Sequence, residues 1–302
     1  MTGTRAKRRR LWLLAGALIV AVAGIVFARL ILASEGGARF IARYPGTVSQ
    51  NSATPVGIPV WLAWQHALNA FFLVMIVRTG WLVRTVRKPA AHWTRNNRGF
   101  IRTKGSPKRI SLDLWLHLSL DALWVLNGLV FIVLLFTTGQ WRKVVPTSWD
   151  VLPNALSSGV QYAAFAWPTE NGWVTYNALQ LLTYFAVIFV LTPLAIISGL
   201  RLSGAWPQAD TAINRVYPIE LARKLHFPVM VAFVVFVVVH VALVLSTGAL
   251  RNLEHMFAAR DDGGWAGVVL FGVWLIVVVA AFLLARPIFL RPIASLTGKI
   301  SR

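Results

Sequence analysis

Six apolar runs, at about 11–33, 59–82, 114–136, 176–199, 225–246 and 266–285, limit what this chain can fold into. Each is close to the roughly 20 residues that an α-helix needs to cross the hydrocarbon core of a bilayer. In lipid a backbone must satisfy its own polar groups, which a helix does and an irregular open segment does not. The runs predict an all-α integral membrane protein with six transmembrane helices. The composition, 57% hydrophobic and only 13% charged over 302 residues, excludes an ordinary soluble domain.

The formal net charge of +20 does not point to nucleic acid, because the basic residues lie between the spans instead of covering a soluble surface. If both termini are cytoplasmic, the inner segments 1–10, 78–113, 200–224 and 286–302 hold 23 of the 30 Lys and Arg. The positive-inside rule then predicts a multi-pass protein of the cytoplasmic membrane with both ends inside. Arg5 to Arg10 followed by Leu11 to Leu32 reads as a retained signal anchor, since its apolar part is longer than a signal-peptide core.

The basic inner loop 83–113 suits lipid head groups or an acidic partner face, but plain positive-inside topology accounts for it as well and is the first reading. The outer loop 137–175 carries Trp141, Trp149, Trp167 and Trp173, and is expected to lie on the outer surface, where tryptophan prefers the interface. Without cysteine the chain can bind no iron–sulfur cluster, covalent c-type haem or disulfide, so any electron chemistry needs a non-covalent cofactor.

Four of the six histidines fall inside spans. His226 and His240 are fourteen residues apart on the fifth, which puts both imidazoles on one face about 21 Å apart along the axis. His66 lies near the outer start of the second span and His117 near the inner start of the third. Depth therefore pairs His117 with His226 at the inner side and His66 with His240 at the outer. Each pair can give two axial nitrogens to a b-type haem suited to electron transfer. Zinc or copper would want three or four ligands gathered at one depth.

Outside this set, His92 and His255 are read as solvated loop residues. Asp121, one turn after His117, could orient that ring or bond near the inner cofactor, or hold an interfacial structural place instead. Gly80 and Gly128 could let a macrocycle approach a helix, and Arg78 could pair with a propionate of the inner haem or snorkel to the surface.

The order of these motifs resembles the prokaryotic di-haem cytochrome b superfamily, which includes the gamma subunit of formate dehydrogenase and the b-type cytochrome subunit of nickel-iron hydrogenase. Its carriers are Trp64-Gln65-His66-Ala67-Leu68-Asn69, Leu116-His117, Tyr176-Asn177-Ala178-Leu179-Gln180, and the pair His226 and His240. The likeness covers about 58–246 and implies a four-helix di-haem bundle core with two haem b on His66, His117, His226 and His240.

It further implies electron transfer between a peripheral redox subunit, of molybdenum-enzyme or hydrogenase type, and a membrane quinone, either menaquinone or ubiquinone. Asn177 matches an asparagine at the family's quinone pocket, beside the haem held here by His240. Leu179 departs from the glycine of the formate dehydrogenase pattern, and the extra first helix reverses the core in the membrane.

The organisation expected is a basic segment, anchor helix and outer loop over 1–57, the di-haem core over 58–250, and an outer loop, sixth span and cytoplasmic tail over 251–302. The leading function is a membrane electron-transfer subunit. Its rivals are a stand-alone quinol oxidoreductase and a haem-free membrane transporter.

Overall fold

The computed structural model describes residues 2–49, 52–98, 106–168, 171–207 and 211–302. Residues 99–105 of the inner loop and 169–170 of the outer loop lie outside that set. Among the described residues, six helices are long and apolar enough to cross a membrane: Lys7–Ala33, Val60–Thr85, Leu112–Thr137, Ala178–Leu202, Ile219–Ser246 and Ala266–Leu284. The all-α integral membrane architecture is thus shown, with each helix on its apolar run.

Local chemistry sets where the spans start and bend. Pro59 and Pro218 precede the second and fifth in extended conformation, and Ser111 caps the third by accepting the Leu114 N–H. Asn177 and Gln180 form a reciprocal capping box at the start of the fourth. Within that span, the turn Val187–Leu191 widens to a π-helix directly before Thr192-Pro193. Proline has no N–H to give the preceding turn, and a π-turn lets the helix carry that gap.

Contacts divide the chain into two units. The first comprises residues 1–56 and 139–190. Here the segments between spans are more than loops: Glu35–Arg43 and Val151–Ala163 are helices. Val151, Ala155, Ala178 and Leu181 make its core. Gly46 is its pivot: its N–H donates to Asn154 Oδ1, and its carbonyl accepts from Ser158 Oγ and from the Ala178 N–H. Trp149 is 85% exposed, in keeping with an interfacial surface.

The second unit comprises residues 57–138 and 191–302 and contains every histidine of the chain. Its inner end carries a small sheet unforeseen in the sequence: β1 (His92–Arg95), β2 (Arg109–Ser111) and β3 (Gly298–Ser301), antiparallel in the order β2-β1-β3. Trp93 faces Ile110 on one side and Ile300 on the other, and its Nε1–H donates to Ala294 O in the helix Pro287–Ser295. Trp93, Leu112, Leu290 and Ala294 close a core against Trp115 and Leu116, next to His117.

Gly46 has φ +103°, and a Cβ there would stand 2.6 Å from Ser158 Oγ. Gly46→Ala should therefore destabilise the first unit by about 1–3 kcal/mol, read as a lowered melting temperature in detergent, with the spans still inserted.

Candidate metal centres

The four transmembrane histidines meet in the two predicted pairs. The ring centroids of His66 and His240 are 6.2 Å apart, and those of His117 and His226 are 6.4 Å apart. Metal–imidazole bonds of about 2.0–2.1 Å on opposite sides of one ion put the ring centres roughly 6.3 Å apart. Both pairs thus have a spacing at which the two imidazoles could hold one metal ion. Among the described residues no three His, Cys, Asp or Glu gather at one place, so the donor set is that of two-ligand sites.

The inner pair is held by one device used twice. Thr79 Oγ1, on the second span, donates to Met75 O at 2.9 Å and lies 2.9 Å from His117 Nδ1. Ser198 Oγ, on the fourth, donates to Leu194 O at 2.6 Å and lies 3.0 Å from His226 Nδ1. Each hydroxyl has spent its only hydrogen on its own helix, so the imidazole Nδ1–H must be the donor. That fixes the tautomer and leaves both Nε2 lone pairs for a metal.

Beside each hydroxyl stands a glycine that makes room for the ring. A Cβ on Gly80 would lie 3.1 Å from His117 Cε1, and one on Gly199 would lie 3.3 Å from His226 Cε1. Gly80 therefore clears the ligand itself. A Cβ on Gly128 would have no neighbour within 4 Å. The Thr79-Gly80 and Ser198-Gly199 repeat was the signal that sequence reasoning passed over.

The outer pair is framed by aromatic rings. Phe236 stacks on His240 with centroids 5.4 Å apart, and Phe257 meets His66 edge-on at 5.9 Å. Trp274 of the sixth span donates its Nε1–H to Ala67 O at 2.9 Å, pinning the second span next to His66. His66 Nδ1 is buried and has no hydrogen-bond partner. Halfway along the fifth span, seven residues from either histidine, buried Phe233 packs edge-on to Trp124 of the third at 6.4 Å.

Two expectations are corrected. Asp121 does not orient His117: Thr79 holds the Nδ1 side, while Asp121 Oδ2 lies 3.6 Å from Nε2, on the ligand side. His255 is not solvated: it is 2% exposed and lies 2.7 Å through Nε2 from Asp261 Oδ1. An imidazole at the foot of a helix loop can be buried when a carboxylate pairs with it. His92 does sit on the inner sheet, where its Nδ1 accepts from Arg109.

Arg78 has a divided guanidinium. Nη2 donates to Ala285 O at 2.8 Å and the cation lies over the Phe282 ring, but Nη1 is buried without a partner. An unspent buried donor near the inner pair suits a carboxylate ligand. In the first unit, Asn177 Nδ2 donates to Tyr162 Oη at 2.8 Å while Oδ1 accepts the Gln180 N–H. Near it in sequence, burial lifts the Tyr176 phenol to about 12.

Residues 57–259 match the family described as prokaryotic cytochrome b561. A protein of Azospira oryzae provisionally named protein-methionine-sulfoxide reductase subunit YedZ1 is 32% identical over 200 residues, which are 62% of this chain and 88% of that protein. No solved structure matches.

Thr79→Val and Ser198→Ala each leave an imidazole N–H without its acceptor and should cost about 1–3 kcal/mol in holding the inner centre. Thr79→Ser should restore it. The inner rings stand at 89° to one another. Were a low-spin ferric ion bound by both rings, its electron paramagnetic resonance signal would be strongly anisotropic, and the double variant would lose that anisotropy as the rings turn.

Proposed function

Because the chain belongs to the prokaryotic cytochrome b561 family, a family of b-type haem membrane proteins, we propose that it holds two haem b and carries electrons between a peripheral redox partner and the membrane quinone pool. The observation that carries this reading is the pair of histidine couples at axial-ligand spacing, one at each end of the fifth span. His117 and His226 would hold the inner haem, His66 and His240 the outer. Bound haem supplies one-electron redox chemistry.

The chain's own residues do the positioning. Thr79 and Ser198 fix the inner imidazoles in the tautomer that ligates, and Gly80 and Gly199 let them stand close to their helices. Arg78 Nη1 is the donor left for an inner propionate. Phe233 and Trp124 pack their rings edge-on at mid-depth, seven residues along the fifth span from either histidine.

Action as a subunit of a larger oxidoreductase is supported by the name of the relative, a reductase subunit. The partner would be a peripheral redox protein of molybdenum-enzyme or hydrogenase type. The quinone, menaquinone or ubiquinone, would exchange electrons at the outer pair. Asn177 is proposed as a quinone contact from the family likeness; since its amide is already bonded to Tyr162 and Gln180, a quinone would have to exchange one of those bonds.

Charge distribution supports a cytoplasmic membrane location with both termini inside, which places His226 toward the cytoplasm and His240 toward the exterior.

A reduced-minus-oxidised spectrum of the purified protein should show b-type haem, two per chain. His226→Ala should lose the inner haem and His240→Ala the outer; two haems retained in either variant would refute the pairing. Reporter fusions within 83–98 should report the cytoplasmic side, and an external signal there would reverse the electron path.

A further inference from the structure

Among groups outside the haem ligands, the turn Glu254–Ala258 concentrates the most unexplained chemistry. It is a π-turn at the outer-haem end of the fifth span, packed against the second and sixth spans, and it ends on Ala259 at φ +53°. π-Turns and left-handed non-glycine residues carry strain that recurs at functional sites. Three features meet in these few residues.

Phe257 touches His66, a ligand of the outer centre. Glu254 is 1% exposed: Oε2 accepts the Gly267 N–H at 2.7 Å, while Oε1 is buried with no partner. His255, next in sequence, is buried and paired with Asp261, whose side chain is 33% exposed. A second buried acceptor without a donor, Gln65 Oε1, lies on the second span beside His66. Buried acceptors left empty are costly, and one on this turn with another on the span packed against it call for a ligand that brings hydrogen-bond donors.

Resting on the proposed outer haem, we propose that the turn Glu254–Ala258 and Gln65 form a quinol site in which Glu254 is the proton acceptor and the His255–Asp261 pair leads to the outer surface. A dihydroxy-aromatic quinol supplies two O–H donors for Gln65 Oε1 and Glu254 Oε1. Its oxidation releases two electrons and two protons. A haem held by His66 and His240 would take the electrons one at a time, each passing on toward the inner pair before the next arrives. The first proton goes to the Glu254 carboxylate, the second follows by way of His255 and Asp261, and quinone departs. In the reverse direction the same groups would deliver protons to a quinone.

The test uses the full-length protein purified with its haems. Glu254→Gln keeps an oxygen for the Gly267 N–H but removes the base. It should preserve the dithionite-reduced spectrum of both haems, yet reduction of the haems by decylubiquinol or menadiol should slow by about 100-fold, the usual size of a lost general base. Binding of 2-heptyl-4-hydroxyquinoline N-oxide, followed by quenching of its fluorescence, should weaken by about ten-fold in Gln65→Leu. Asp261→Asn should slow quinol-driven reduction while leaving that binding unchanged, and it serves if Glu254→Gln does not fold.

Glu254→Gln with both haems, and quinol-driven rate within about two-fold of wild type, would overturn the quinol site. Unchanged binding in Gln65→Leu would do the same. A wild-type protein without haem absorbance would instead overturn the di-haem reading itself.

Discussion

A buried imidazole nitrogen inside a membrane span is costly without a partner, and the arrangement around the inner histidines follows from that cost. At the inner end the need is met from neighbouring helices: Thr79 answers His117 and Ser198 answers His226. Each hydroxyl belongs to a different span from the ring it serves. The bonds therefore tie the second span to the third and the fourth to the fifth while they aim the rings. Glycines at positions 80 and 199 allow the close approach that such short side chains demand. What remains for each ring is one lone pair, on Nε2.

Much of this was legible in the sequence, because periodicity and depth are linear properties. Spans follow from apolar runs, and fourteen residues on a helix return a side chain to the same face, so the rings of His66 and His240, and of His117 and His226, come within 6.4 Å of one another. The supporting groups were not legible in the same way. Thr79 and Ser198 look like ordinary small residues of a packed membrane helix until the ring they serve is in view. Asp121 drew attention as the charged neighbour one turn from His117, but the nitrogen that needed an acceptor faced another helix.

Segments outside the spans were harder for a different reason. Strands β1 and β2 are short and basic, and their partner β3 lies some two hundred residues further along the chain. Nothing local marks such a sheet, and its order comes from Trp93, whose ring and N–H gather Ile110, Ile300 and Ala294. His255 was misjudged because a histidine in an outer loop is usually wet. Here a turn folds Asp261 back onto it.

The hydrogen-bond chain at the inner histidines has one more property. It runs from Nδ1–H to a hydroxyl and ends on a backbone carbonyl, Met75 O or Leu194 O, inside a spanning helix. A carbonyl has no proton to give and none to pass on. Along that side the inner rings are closed to proton traffic. On that side a charge at the rings is met by fields already fixed in the protein, such as the Arg78 cation and the helix dipoles, and any proton exchange is left to the Nε2 side, where Asp121 stands.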